Sequence, residues 1–206
     1  MSKYKNVTFG QSEAIINKLG GEEGMNKFLR GELIVSEPTS KWRYHAGIIY
    51  ATFVSDGTTG AEWIVRLEKK GIILTNYAKS MLLSDDFKPT KGVSYEIAIL
   101  PGGMWDDKNR TTKNIKLEAS KRNLIEPNAE TSCFIREMFS DKDIEVMGLQ
   151  WILTMHEPIK NSGGGPSLLG TYRYGDGSCL DADVDGSDSQ WFRRGGFAFV
   201  SSQVVL

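Results

Sequence analysis

Between residues 48 and 100 the apolar pattern switches repeatedly between a period of two and a period of 3.6, an alternation few architectures accommodate. Residues 48–54 are rich in β-branched and aromatic types and read as a strand. Residues 55–60, Ser-Asp-Gly-Thr-Thr-Gly, have turn chemistry, and residues 62–70 place Trp63, Ile64 and Leu67 on one helical face. A strand over 72–75, a helix over 77–83 and a strand over 93–100 follow, the last closed by Pro101, Gly102 and Gly103. Strands alternating with helices predict βαβ units in a mixed α/β (α+β) sheet covered on both faces.

Upstream, Thr8 and Gln11 form a capping-box pattern ahead of Ala14, Ile15 and Leu19 at helical spacing. Gly20 and Gly21 break that helix. Glu22 and Glu23 begin a second, Phe28 and Leu29 pack it, and Gly31 stops it. Residues 1–34 therefore read as a helical hairpin appended to an α/β body spanning 35–160. Within the body, 109–122 predicts a charged helix and 129–139 a more apolar one. Ser140 with Asp143 opens a further helical turn, and Leu149, Trp151, Leu153 and Met155 mark a strand that Pro158 ends.

Residues 161–166, Asn-Ser-Gly-Gly-Gly-Pro, have the composition of a linker or wide loop, and no helical pattern survives beyond them. The segment 161–206, rich in Gly, Asp and aromatics, reads as short strands and turns. It forms either a small module or an addition to the main sheet. A displayed module implies that a chain ending at residue 160 stays folded and loses only its ligand.

The 206 residues carry 25 basic and 26 acidic side chains, so net charge gives no reason to expect nucleic acid or an anionic membrane as partner. The first residues lack the apolar core of a signal peptide, and no run is long and apolar enough to cross a bilayer. The expectation is a soluble cytoplasmic protein. Cys133 and Cys179 stand outside any CxxC spacing and are expected as thiols, one in the core and one as strand filler.

Three features bear on chemistry. The first is 181–188, where Asp181, Asp183 and Asp185 followed by Gly186 match the opening of a calcium loop. The closing position falls on Phe192 instead of glutamate, and the flanks read as β, which argues against an EF-hand. What remains is a loose calcium site with a Kd of ~10⁻⁴–10⁻³ M, or a solvent-facing strand edge whose carboxylates block edge pairing.

The second is the turn Gly57, Thr58, Thr59, Gly60, which stands before a helix where N–H groups and the helix dipole favour an anion. The plain alternative is a tight connection with an N-cap threonine. In a parallel sheet this turn shares an edge with Asn76, Gly102, Gly103, His156 and Glu157. An enzyme acting on a small phosphorylated or nucleotide-like substrate would then use Asp56, Thr58, Thr59, His156 and Glu157. Alternatively, His156 simply hydrogen-bonds to backbone near a Pro-capped strand end. The third feature is the run of cations Lys108, Arg110, Lys113, Lys116, Lys121 and Arg122. It reads as a solvated helix face, since Asp106 and Asp107 precede it and no stacking aromatics accompany it.

The tail concentrates residue types that make binding hot spots: Tyr172, Tyr174, Asp176, Trp191 and Arg193. The leading expectation is a non-enzymatic protein that binds an unknown protein or small-molecule partner through that surface.

Motifs at 19–24 (Leu-Gly-Gly-Glu-Glu-Gly), 28–33 (Phe-Leu-Arg-Gly-Glu-Leu), 55–60, Lys113 with Asn114, 155–159 (Met-His-Glu-Pro-Ile) and 196–200 (Gly-Phe-Ala-Phe-Val) run nearly the whole chain. With them the sequence resembles a large group of uncharacterised proteins from uncultivated bacteria with small genomes, and that resemblance implies no activity. Trp191, Arg193, Gly196 and Phe197 also look like the ending of C-type-lectin-like and formylglycine-generating-enzyme-like domains. This second likeness implies a displayed ligand-binding surface around Tyr172, Tyr174, Asp176 and Trp191.

Overall fold

The computed structural model describes residues 8–33, 41–174 and 177–205, the last three as backbone alone, and divides into two compact units, 1–40 and 41–206. In the first, the Thr8 hydroxyl accepts the Gln11 N–H and the Gln11 side chain accepts the Thr8 N–H, closing the capping box of α1 (Phe9–Lys18). Gly20 adopts a left-handed conformation that turns the chain into α2 (Gly21–Leu29). Glu22 and Glu23 then sit where the helix dipole favours anions.

The second unit is built on one nine-stranded mixed sheet. Its strands are β1 (Arg43–His45), β2 (Ile48–Asp56), β3 (Ile73–Leu74), β4 (Lys91–Pro101), β5 (Trp151–Thr154), β6 (Ile159–Lys160), β7 (Pro166–Tyr174), β8 (Gly177–Val184) and β9 (Gly195–Val205). They lie in the order β1-β2-β4-β9-β5-β7-β8-β3, with β6 paired to β7. The helices are α3 (Gly60–Glu68), α4 (Asn76–Leu82), α5 (Thr112–Lys121), α6 (Glu130–Met138) and α7 (Asp141–Val146).

The α/β class and the alternation of elements are those expected, but the strand directions are not those of successive βαβ units. Only β5 with β9 and β3 with β8 run parallel. β2 and β4, which flank α3, β3 and α4, pair antiparallel, while β3 lies at the far edge of the sheet. Burial explains the placement. β4 hides both of its faces (Ile97, Ala98, Ile99 and Leu100 are all 0 % exposed), so it needs a neighbour on each side and helices above and below.

The second of those neighbours is β9, inserted between β4 and β5. Of the two placements open for the tail, the structure therefore has the addition to the main sheet. Phe197, Ala198, Phe199 and Val200 are at most 1 % exposed, and burying each large side chain contributes roughly 1.5–3 kcal/mol. Residues 161–166 are no linker: the Asn161 N–H donates to the Gly165 carbonyl at 3.0 Å and the Gly164 N–H to the Asn161 carbonyl at 2.8 Å, closing the β6–β7 hairpin.

One face of the sheet is covered by α3, α4, α6 and α7, whose Trp63, Met81, Phe134 and Ile144 join Ile49, Ile97, Ile152 and Ala198 in one core. Ile115 and Ala119 of α5 pack on the other face against Ala98, Leu100, Leu153, Phe197 and Phe199. The cations expected on α5 are not all on it. Arg110 precedes the helix and is 2 % exposed, donating to the carbonyls of Gly102 and Trp105 (both 2.6 Å) and Trp191 (3.2 Å) and to Asp107 (3.0 Å). It clamps loops together and is not part of a solvated face. Among the described residues no helix is long and apolar enough to cross a membrane.

Candidate functional site

On the face that α5 only partly covers, Trp151 pairs with Tyr172 across β5 and β7 and with Gly195 across β5 and β9. A side chain at 195 would meet the Trp151 ring at 2.0 Å, so only glycine lets that ring lie flat on the sheet. From Trp151 the rings continue outward. Tyr172 lies 6.1 Å away at 29°, and Tyr174 stacks on Tyr172 at 5.4 Å and 7°. On the other side, Trp191 and Phe197 stand 5.9 and 5.5 Å from Trp151. Period-two spacing puts Tyr172 and Tyr174 on one face of β7.

The rings are tied down at their hydroxyl ends. Tyr172 crosses over Gly170, where a Cβ would lie 2.6 Å from the ring, and donates its hydroxyl to Asp183. Tyr174 donates to Asp181 at 3.3 Å, and Asp181 also accepts the Thr75 hydroxyl at 2.7 Å. Burial, then the charge of Asp183, pushes the Tyr172 phenol up, and burial with Asp181 pushes Tyr174 up to about 12. Burial also raises Asp183, the Tyr172 hydroxyl opposing and Asp181 adding to the rise. Both phenols therefore stay protonated donors over the physiological range. Among the described residues, no cation forms an ion pair with Asp181, Asp183, Asp185 or Asp188.

Of the residues the sequence singled out for binding, Tyr172, Tyr174 and Trp191 thus belong to one run of rings. Trp191 is anchored by its indole N–H on the Thr112 hydroxyl at 3.0 Å. Arg193 is exposed and borders a cavity that Trp191 also lines, and Asp176 lies outside the described residues. Sequence reasoning missed Trp151, Gly170 and Thr75. Trp151 alternates correctly as a strand residue, but only strand register puts it beside Tyr172.

The calcium reading of Asp181, Asp183 and Asp185 gains no support from the geometry. Among the described residues no group of three or more His, Cys, Asp or Glu is placed to hold a metal ion. Asp181 and Asp183 lie on the extended strand β8, not on a loop that wraps its carboxylates around one cation as a calcium loop does. Each carboxylate accepts a hydroxyl of its own, Asp185 from Thr112 at 3.1 Å.

The turn at 57–60 is a capped connection. The Gly57 N–H donates to the Thr90 carbonyl at 2.9 Å, the Thr58 N–H to Asp56 at 3.0 Å and the Thr59 N–H to Glu62 at 2.8 Å. Thr59 caps α3 and Glu62 completes the box. Gly60 packs so closely on the Leu82 carbonyl that a Cβ would fall 1.7 Å from its oxygen. The donors of Gly57, Thr58 and Thr59 are thus spent within the chain. Burial would raise Asp56, but hydrogen bonds from Thr58 and Arg66 outweigh it and hold the carboxyl at about 2.

β2, β3 and β5 all end at one edge of the sheet, so the Asp56 turn, Asn76 and His156 with Glu157 do share it. Gly102 and Gly103 follow antiparallel β4 and lie at the opposite edge. His156 is 1 % exposed; its Nε2 accepts the Leu169 N–H at 2.9 Å and its Nδ1 proton goes to the Glu157 carbonyl at 2.7 Å. Burial lowers its pKa to about 4. The ring is neutral and both nitrogens are spent on backbone, which is the structural alternative weighed above.

Beside it lies a cavity of about 460 Å³ lined by Lys88, Thr90, Tyr95, Asn128, Glu157 and Val200, among others. Two of its lining groups are engaged within the chain, the Thr90 N–H donating at 3.1 Å and the Asn128 amide at 2.8 Å to the buried Glu130 carboxylate. No family model, curated protein or solved structure matches this chain.

Proposed function

We propose that this protein binds a ligand or protein partner without catalysing a reaction, using the face of β7 and β8 that carries Tyr172, Tyr174, Asp181 and Asp183. The carrying observation is the parallel stack of Tyr172 on Tyr174, with each hydroxyl tied to an aspartate and Tyr174 46 % exposed. Rings held at both ends lose little freedom when a ligand stacks on them, and the aspartates keep lone pairs for its donors. The face is part of the core sheet, so the binding surface is not detachable from the fold. The enzymatic reading has less support, because His156 and the 57–59 donors are already engaged.

The test is a fragment screen by amide NMR on the full chain, using neutral sugars, planar aromatic cations and short basic peptides as probes. Shift changes should cluster at 170–174 and 181–183 and vanish in Tyr174→Ala. Binding confined to the cavity beside His156, or unchanged in Tyr174→Ala, would overturn the proposal.

A further inference from the structure

Of the nine arginines in the chain, seven form an ion pair with an aspartate or glutamate. Arg193 and Arg194 are the two that form none among the described residues, and they are consecutive. Both line one cavity of about 460 Å³, together with Pro101, Gly103, Met147, Gly148 and Leu149. It lies at the end of the sheet where β4 finishes and β5 and β9 begin.

Among the described residues no carboxylate lines this cavity. Two of its backbone acceptors are already used: the Met147 carbonyl accepts the Tyr44 hydroxyl at 2.8 Å and the Leu149 carbonyl accepts Arg173 at 3.0 Å. Arg193 also borders a neighbouring cavity that contains Asp107, but Asp107 is paired with Arg110 at 3.0 Å. Two arginines therefore line one concavity, and no acidic side chain among the described residues pairs with either.

We propose that this cavity binds an oxyanion, phosphate or carboxylate, carried on a small apolar body. Guanidinium groups present paired N–H donors that match such oxygens two at a time, and two of them in succession bracket a single oxyanion. Pro101, Met147 and Leu149 form an apolar wall for the rest of the ligand. Gly103 and Gly148 carry no side chain to hold it away from the backbone. This site is separate from the tyrosine face, and neither needs the other to bind.

The test is calorimetric titration of the full chain with phenyl phosphate and with phenylacetate at fixed ionic strength. One saturable site is expected, and the tighter probe identifies the oxyanion. Arg193→Gln with Arg194→Gln should weaken binding at least tenfold, and replacing both by lysine should weaken it several-fold, since charge remains but the fork is lost. Lys108→Gln with Lys113→Gln removes the same charge elsewhere and should change nothing. Because Arg193 and Arg194 are exposed, unchanged melting of the variants checks that folding is intact. The proposal fails if neither probe saturates, if the glutamine or lysine pair binds as wild type does, or if the control pair loses as much.

Discussion

His156 and Leu169 are joined across 13 residues of sequence by a hydrogen bond from the Leu169 N–H to Nε2 at 2.9 Å, which ties the end of β5 to β7 through a neutral, buried ring. Its pKa of about 4 lies below the ~6.5 of an exposed imidazole. Between those values the unfolded chain holds a proton that the folded chain does not, so stability rises with pH through this window. The contribution is complete above about pH 6.5 and is lost as pH falls toward 4, by about 3 kcal/mol in all. Urea unfolding across that range should show the slope in wild type and a flatter one in His156→Gln. The variant should also be less stable at neutral pH by roughly 1–3 kcal/mol, because a buried N–H loses its acceptor. Parallel profiles for the two proteins would sink this account.

Gly195→Ala should be among the most damaging single-methyl additions in the chain. Its Cβ would fall 2.0 Å from the Trp151 ring, backed by Phe197 and Trp191. Displacing that ring should cost about 2–4 kcal/mol. Chemical denaturation with near-ultraviolet circular dichroism reads both the loss and the ring movement, and a variant as stable as wild type contradicts the packing described.

Asp181→Asn should lower the pKa of Tyr174 from about 12, since burial remains while the carboxylate that opposes phenolate formation is gone. Absorbance titration of the phenols, with Tyr174→Phe to assign the step, measures it. No change on substitution means that Asp181 does not act on Tyr174.

A chain ending at residue 160 should fail to fold. It lacks β7, β8 and β9, and with β9 the buried Phe197, Ala198, Phe199 and Val200 that fill both faces between β4 and β5. Amide NMR of the truncated chain decides the matter: dispersed signals would show a body that stands without its tail.

Much of the fold was legible because its signals are local. The capping box at Thr8, the N-cap threonine before α3, the Ser140–Asp143 cap and the apolar stripe of α3 each involve residues within a turn or two, and all appear where the spacing put them. The tyrosines of β7 were legible as a pair for the same reason: period two places them on one face.

The sequence by itself thus determined the α/β class and the kind and rough extent of most elements before residue 156. Only the tertiary structure decided which strands are neighbours, in which direction they run, and what each polar group meets. Asp181, Asp183 and Asp185 spell a calcium loop as text but lie on and just beyond an extended strand, each with its own hydroxyl donor. Arg110 reads as one more surface cation and is buried among carbonyls, while Arg193 and Arg194 form no ion pair among the described residues. The physical reason is common to all three. Periodicity and caps are set by neighbours along the chain, whereas ion pairs, ring stacks and cavities are set by register between strands far apart in sequence.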